Sequence, residues 1–395
     1  MAFRQRGFGT AASINSNFNY NPIPGTGPYV VTDVAPNEYV EFSQNPNYWG
    51  RSLNSSEIAS NPYLDPGHVN NVIVYYKTDD VSRYTDLATN AAQIATIQST
   101  DWPLVQTNPN KYAYFTMPAQ NMLFVGVSLN TERYPTNITA VRQAIVHAIN
   151  YTDINQEVFF GALSPMLGQE YPVWKQFYDL GNLTPYTYNM TLATQDLSAA
   201  NINVSSLPTL QFNVISGCIS CISTAQIIQA DLSQIGINVN IQVLTSASWS
   251  APLVAGSSTY SGALQIAQQV SQLTWFGPAT FAPDAPTPAD AWLLFVNNES
   301  TASDYAIYAN PNVQPCVDAW TNGSSISTIT SLCTLAQSQI YSDAPYIWLG
   351  SLTTVFGGGS KVWNKNIIQG FLLDPVYSGQ STTAIFNTVT FTDGQ

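Results

Sequence analysis

Few residues in this 395-residue chain have the types and spacing that covalent chemistry needs. Histidine occurs only as His68 and His147, so proton transfer near neutral pH has little to draw on. There is no His-Glu-x-x-His zinc helix, no Gly-x-Ser-x-Gly elbow and no P-loop. The isolated Gly25-Thr26-Gly27 is too short to cradle a phosphate and reads as a turn. Asp79 with Asp80, or Asp284 with Asp290, could flank a glycosidic bond as paired carboxylates, but nothing in the sequence makes either pair converge. The expectation is a protein that is not an enzyme and that has neither a cofactor nor a metal site.

The four cysteines form two near pairs, Cys218 with Cys221 and Cys316 with Cys333. An even number in a chain that otherwise reads as exported favours disulfides. Cys218-Ile-Ser-Cys221 also has the spacing of a redox motif or of half a zinc site, and zinc would need two further ligands that the distant histidines do not obviously supply. Free thiols, redox chemistry and metal binding therefore stay open beside the disulfide reading.

Binding, rather than bond-making, suits the composition. Nine Trp and 22 Tyr stand in a chain in which charged residues make up 9% and the formal net charge is −13. Tyr and Trp combine a flat apolar face with a polar edge, which fits a cleft for peptides or sugars. Eleven basic residues spread along the sequence make no stripe that could neutralise a phosphate backbone, so nucleic acid is excluded as a partner. A surface that is polar but mostly uncharged suits an acidic milieu, where carboxylates are protonated and neutral hydrogen-bonding side chains still hold water. No run of about 18 apolar residues is present to span a membrane. The opening Met-Ala-Phe-Arg-Gln-Arg-Gly lacks the apolar segment of a signal peptide.

The elements that must carry these residues alternate between strand and helix. Strands are expected over 29–33, 39–42 and 72–76, with a helix beginning near Asp79 or Asp80. A further strand covers 123–129. Val141, Ile145, Ala148 and Ile149 then line one face of a helix whose other face holds Arg142 and His147, expected to do surface or ion-pair duty. A second helix is expected from an N-cap at Asp153 to Gly161. The clearest unit is strand 210–214, helix 225–235 stopped by Gly236, and the strictly alternating strand 237–243, the pattern of a βαβ crossover. Residues 271–290 read as a loop. Two helices, 312–321 and 326–341, each carry one cysteine of the second pair, and strands 346–356 and 367–373 close the chain. The alternation gives an α/β class.

Four ordered segments resemble the family of extracytoplasmic solute-binding proteins of the oligopeptide- and dipeptide-binding type (family 5), whose members also include binders of oligosaccharides and nickel. They are Gly25-Thr26-Gly27-Pro28-Tyr29 with Asn45-Pro46-Asn47-Tyr48-Trp49-Gly50; Val127-Ser128-Leu129-Asn130 leading to Val141-Arg142-Gln143-Ala144-Ile145; Ile228-Gln229-Ala230-Asp231-Leu232 with Gly236-Ile237; and Asp343-Ala344-Pro345-Tyr346. The resemblance implies a two-lobed, periplasmic-binding-protein-like (type II) fold with a hinge. Lobe I would be 1–155 with a return over 351–395, and lobe II 156–350. The chain would be the monomeric substrate-binding subunit of an ABC importer, holding an oligopeptide or oligosaccharide between the lobes and delivering it to a membrane permease. It would work outside the cytoplasm, tethered by an anchor this chain does not include. The alternative is a surface-layer or adhesive protein that keeps the fold.

Three departures shape the expected site. In the family the Gly-Thr-Gly-Pro-Tyr segment lies deep in the chain, whereas here about two dozen residues precede it, so lobe I is expected to lack its N-terminal part. The aspartate that pairs with a peptide ammonium in the family has its nearest counterpart in Asp290, with Asp284 as rival and a helix N-cap as the other role for Asp290. The arginine that holds a dipeptide carboxylate has no counterpart in 216–221, which contain no cation. A longer peptide held through its backbone, or a neutral oligosaccharide stacked on Trp249, Trp275 or Phe276, is therefore expected, with a lean toward oligosaccharide. Asn130 is placed near the interlobe crossing by resemblance.

Overall fold

A computed structural model describes residues 25–36, 38–61, 64–77, 79–97, 99–117, 124–166, 183–249, 272–279, 306–352 and 354–359. The chain divides into two compact units: one made of Met1–Ile97, Pro103–Phe115 and Phe356–Gln395, the other of Gln98–Trp102 and Thr116–Val355.

The first unit holds β1 (Tyr29–Ala35), β2 (Tyr39–Gln44), the short α1 (Ser55–Ser60), β3 (Asn71–Tyr75), α2 (Asp80–Ala88) and β4 (Ile94–Thr96). α3 (Trp102–Gln106) and β5 (Tyr112–Met117) follow. β1, β2 and β3 form an antiparallel meander. A strand from the far end of the chain, β12 (Thr354–Gly359), lies between β4 and β5.

The first family-like segment is a clasp. The Asn45 side-chain amide donates to the Gly27 carbonyl at 2.8 Å, and its main-chain N–H donates to the Pro28 carbonyl at 2.7 Å. Arg51 Nε then donates to the Asn45 carbonyl at 3.0 Å. Tyr29 reaches across to donate to the Val69 carbonyl at 2.7 Å, and its ring packs against Gly67. That glycine has φ +91°, and a Cβ there would lie 2.7 Å from the Tyr29 hydroxyl. Burial is the main cause that pushes the Tyr29 phenol up to about 12.

The second unit is a mixed six-stranded sheet in the order β7-β11-β6-β10-β8-β9. Its strands are β6 (Phe124–Leu129), β7 (Leu163–Ser164), β8 (Leu210–Ile215), β9 (Val239–Leu244), β10 (Leu273–Ala279) and β11 (Tyr346–Leu352). The helices are α4 (Thr139–Ala148), α5 (Tyr151–Asp153), α6 (Met190–Ala199), α7 (Ile219–Gln234), α8 (Gln314–Thr321) and α9 (Ile326–Asp343). β8 runs parallel to β9, as the crossover pattern predicts, and also to β10, while β6 runs antiparallel to β10 and β11. α7 packs on β8 and β9, and α4 packs on α6 and α9. Val125, Val127, Leu129, Phe212, Val214 and Leu273 are buried along the central strands.

Four expectations change. The strand expected over 346–356 is two strands, β11 and β12, in separate sheets. The helix expected from an N-cap at Asp153 starts at Tyr151, because the Asn150 side chain accepts the Asp153 amide, and it passes into a π-helical turn over Ile154–Val158. The loop expected over 271–290 contains β10, an interior strand between β6 and β8. Its Gly277 and Pro278 punctuate the sequence, and the pairing with β6 shifts register between Phe276 and Ala279, where proline cannot donate to the ladder. Arg142 is buried rather than on the surface: Nε donates to the Asp343 carbonyl at 2.8 Å, and the two terminal nitrogens donate to the Thr136 carbonyl at 2.9 Å and to Thr139 Oγ1 at 3.1 Å. His147 Nδ1 lies 2.8 Å from the Asp196 carboxylate, in hydrogen-bond contact. The strand expected over 367–373 lies outside the described residues.

The stop signals act through backbone geometry. Gly236, at φ +80°, donates to the Ser233 carbonyl, and Ile237 donates to the Leu232 carbonyl, which closes α7 as a Schellman motif. Ala344, at φ +49°, closes α9 immediately before Pro345.

Candidate functional site

Open α/β sheets bind ligands outside the carboxyl ends of their parallel strands, where successive loops diverge. In the second unit that edge is built by β8, β9 and β10. β8 ends at Ile215, and Ser216 N–H donates to the Leu244 carbonyl at 2.7 Å, so the two strands leave the sheet together. Gly217, at φ +80°, turns the chain. Cys218 caps α7, so the positive end of a 16-residue helix faces this edge. β9 runs out into a single helical turn over 246–249, in which the Trp249 amide donates to the Thr245 carbonyl at 2.8 Å. Thr245 Oγ1 accepts the Ser248 amide at 3.1 Å and donates to Ser248 Oγ at 2.9 Å, which fixes that turn. β10 extends beyond its last parallel pair, Thr274 with Asn213, through Trp275 and Phe276 toward the same end.

The sheet thus gathers three of the expected contacts, Trp249, Trp275 and Phe276, on strands or turns that lead to one edge. It places Asn130 at the opposite end. Asn130 follows β6, its amide donates to the Gln272 carbonyl at 3.0 Å just before β10 begins, and its Oδ1 accepts the Glu132 amide at 3.0 Å. Its carbonyl accepts Thr136 Oγ1 at 2.7 Å, and the residue is buried. Asp290 and its rival Asp284 lie outside the described residues. In the sequence, 216–221 stands out for its cysteine pair and for lacking a cation, whereas Thr245 and Ser248 do not stand out. A threonine and a serine three residues apart, just after an alternating strand, were the available signal for the turn that presents Trp249.

No residue of 216–221 or 245–249 is charged, so these two described segments bring main chain, hydroxyls, Trp249 and a helix end to the edge. Both cysteine pairs are disulfides: Cys218–Cys221, with Cα atoms 5.3 Å apart at the start of α7, and Cys316–Cys333, with Cα atoms 4.7 Å apart between α8 and α9.

The other family-like segments hold the scaffold. The buried Asp231 carboxylate accepts the Asn150 amide at 2.9 Å and so ties α7 to the start of α5. Burial is the main cause that raises its pKa, the Asn150 amide opposes that shift, and Asp153 adds to it. The Asp343 carboxylate accepts from Tyr308 at 2.6 Å, from Asn310 at 2.9 Å and from Gln339 at 3.1 Å.

Comparison with known proteins supplies independent findings. Residues 9–294 match the model for bacterial extracellular solute-binding proteins, family 5 Middle. The chain is 27% identical over 230 residues to the nickel-binding periplasmic protein of Escherichia coli (strain K12), covering 55% of this chain and 41% of that protein. It is 28% identical over 225 residues to di/tripeptide-binding protein 2 of Pseudomonas aeruginosa (strain UCBPP-PA14), covering 56% of this chain and 38% of that protein. The matched span is thus about two-fifths of the length of these relatives. In fold it is similar to the ABC transporter-associated periplasmic binding protein DppA from Helicobacter pylori in complex with peptide STSA. The TM-score is 0.71 at 21% identity, covering 93% of this chain and 63% of that one.

Proposed function

Because the chain belongs to the bacterial extracellular solute-binding proteins of family 5, we propose that it is the peptide-capturing subunit of an ABC importer. It works outside the cytoplasm as a monomer and hands its cargo to a membrane permease. The observation that carries this reading is the family match over residues 9–294 together with the absence of charge in segments 216–221 and 245–249 at the strand ends. A bidentate cation would select a free dipeptide carboxylate. Main-chain and hydroxyl groups beside an indole suit instead a longer peptide held along its backbone, with Trp249, Trp275 and Phe276 as contacts and Asp290 as the partner of its ammonium.

The lean toward oligosaccharide follows from the missing cation in 216–221 and the aromatic residues, and nothing in the relatives above supports it. Nickel is the cargo named for the Escherichia coli relative. Among the described residues no group of three His, Cys, Asp or Glu side chains could hold a metal ion, and each histidine is paired with an aspartate, His68 with Asp65 and His147 with Asp196.

A thermal-shift screen tests the proposal, since a ligand that binds only the folded state raises the melting temperature. Pools of random tetra- to octapeptides are expected to raise it by several degrees, at a concentration where nickel–histidine and neutral oligosaccharides do nothing. A rise with nickel–histidine alone would replace the peptide reading with the nickel one. A rise with oligosaccharide alone would overturn both.

A further inference from the structure

The two disulfides occupy opposite environments. Cys316 and Cys333 are both buried, between α8 and α9. Cys221 is buried as well, but Cys218 is partly exposed, and the neighbouring Ile219 is 38% exposed. Cys218 is also the N-cap of α7. Its Sγ accepts the Cys221 amide at 3.3 Å and lies 3.6 Å from Ser220 Oγ. A sulfur that receives an amide N–H, faces a hydroxyl and stands at the positive end of a 16-residue helix is arranged to carry negative charge. An attacking thiol needs access to a sulfur, which Cys218 gives, and the mixed disulfide it forms resolves readily when the protein sulfur that then leaves is a stabilised thiolate, which is again Cys218.

From this geometry we infer that Cys218–Cys221 is a thiol–disulfide exchange site that accepts small thiols at Cys218, whereas Cys316–Cys333 is a structural bond. The thiolate of an external low-molecular-weight thiol attacks Cys218 Sγ and forms a mixed disulfide. The Cys218–Cys221 bond breaks, its electron pair leaves on Cys221 Sγ at the third residue of α7, and that sulfur takes a proton from solvent. A second thiolate attacks the outer sulfur of the mixed disulfide and releases Cys218 as a thiolate. Two external thiols are thereby oxidised to one disulfide, and the protein bond is reduced by two electrons. The inference goes beyond solute capture and does not depend on which solute is bound.

The test uses the full chain under native conditions, with folding followed by circular dichroism. Samples are equilibrated in graded ratios of reduced to oxidised glutathione, quenched with acid and alkylated, and each cysteine is then quantified by peptide mass spectrometry. Cys218 and Cys221 are expected to become alkylatable at a ratio at least tenfold less reducing than Cys316 and Cys333 require, with a glutathione adduct on Cys218. Equal resistance of the two pairs, or opening of Cys316–Cys333 first, would overturn the inference. In Cys221→Ser the freed Cys218 is expected to be alkylated with a pH midpoint at least one unit below the ordinary thiol value of about 8.5. A midpoint at or above that value would contradict the stabilised thiolate, and if this variant does not fold, the wild-type comparison decides alone.

Discussion

At the scale of single residues, the family-like segments are mostly devices that hold the backbone. Arg142 shows why their role was hard to read. An arginine in a helix usually faces water, and nothing in Val-Arg-Gln-Ala reveals that two carbonyls and a hydroxyl, on the segment around residue 136 and at the end of α9, converge on its guanidinium. Removing it leaves those buried acceptors without donors, so Arg142→Ala is expected to lower the unfolding free energy by about 3 kcal/mol, checked by urea denaturation. In the sequence Gly67 shows only as the second residue of a Pro-Gly pair, a turn signal that says nothing of what packs beside it. Its φ of +91° and the Tyr29 ring beside it make Gly67→Ala destabilising by about 2 kcal/mol in the same assay.

Asp231 sets a pH dependence. Burial raises its folded pKa above the ordinary 3.8, so between those two values the folded state binds more protons than the unfolded one. Stability is then fully present below the unfolded pKa and falls as pH rises through the folded pKa. Asp231→Asn keeps an oxygen for the Asn150 amide and removes the titration. It is expected to flatten the stability profile from about pH 4 upward, read from melting temperatures across pH 3 to 7. An unchanged slope would remove Asp231 from the explanation.

At the scale of elements, helices and the crossover were the most legible features. The alternation in Val239–Leu244 and the glycine after α7 are local signals, and the parallel pairing of β8 with β9 follows from them. β10 was not legible. Leu-Thr-Trp-Phe-Gly-Pro-Ala carries two punctuating residues, and its place in the sheet comes from strands on both sides, β6 and β8, that are distant in sequence. The pairing Cys316–Cys333 is expected from an even number of cysteines in two near pairs, and it closes a longer loop than Cys218–Cys221. Replacing Cys316 and Cys333 together by serine is therefore expected to cost about 3 kcal/mol, and the same change at the shorter pair less. A larger loss at Cys218 and Cys221, measured by chemical denaturation, would contradict that assignment of structural roles.

At the scale of the whole molecule, the α/β class and the family were readable because four short segments recur in order, each enforcing a backbone clasp or stop. The candidate site was readable only in part. Trp249, Trp275 and Phe276 lie on elements leading to one edge of the second unit, while Asn130 belongs to the other end of its sheet, a separation that depends on strand direction and that no residue pattern states. The most direct measurement is hydrogen–deuterium exchange of the full chain with and without the peptide pool that raises its melting temperature. Protection is expected at residues 216–221 and 245–249, with residues 130–136 unchanged. Protection confined to residues 130–136, or none in the second unit at saturating peptide, would contradict the assignment of peptide capture to this edge.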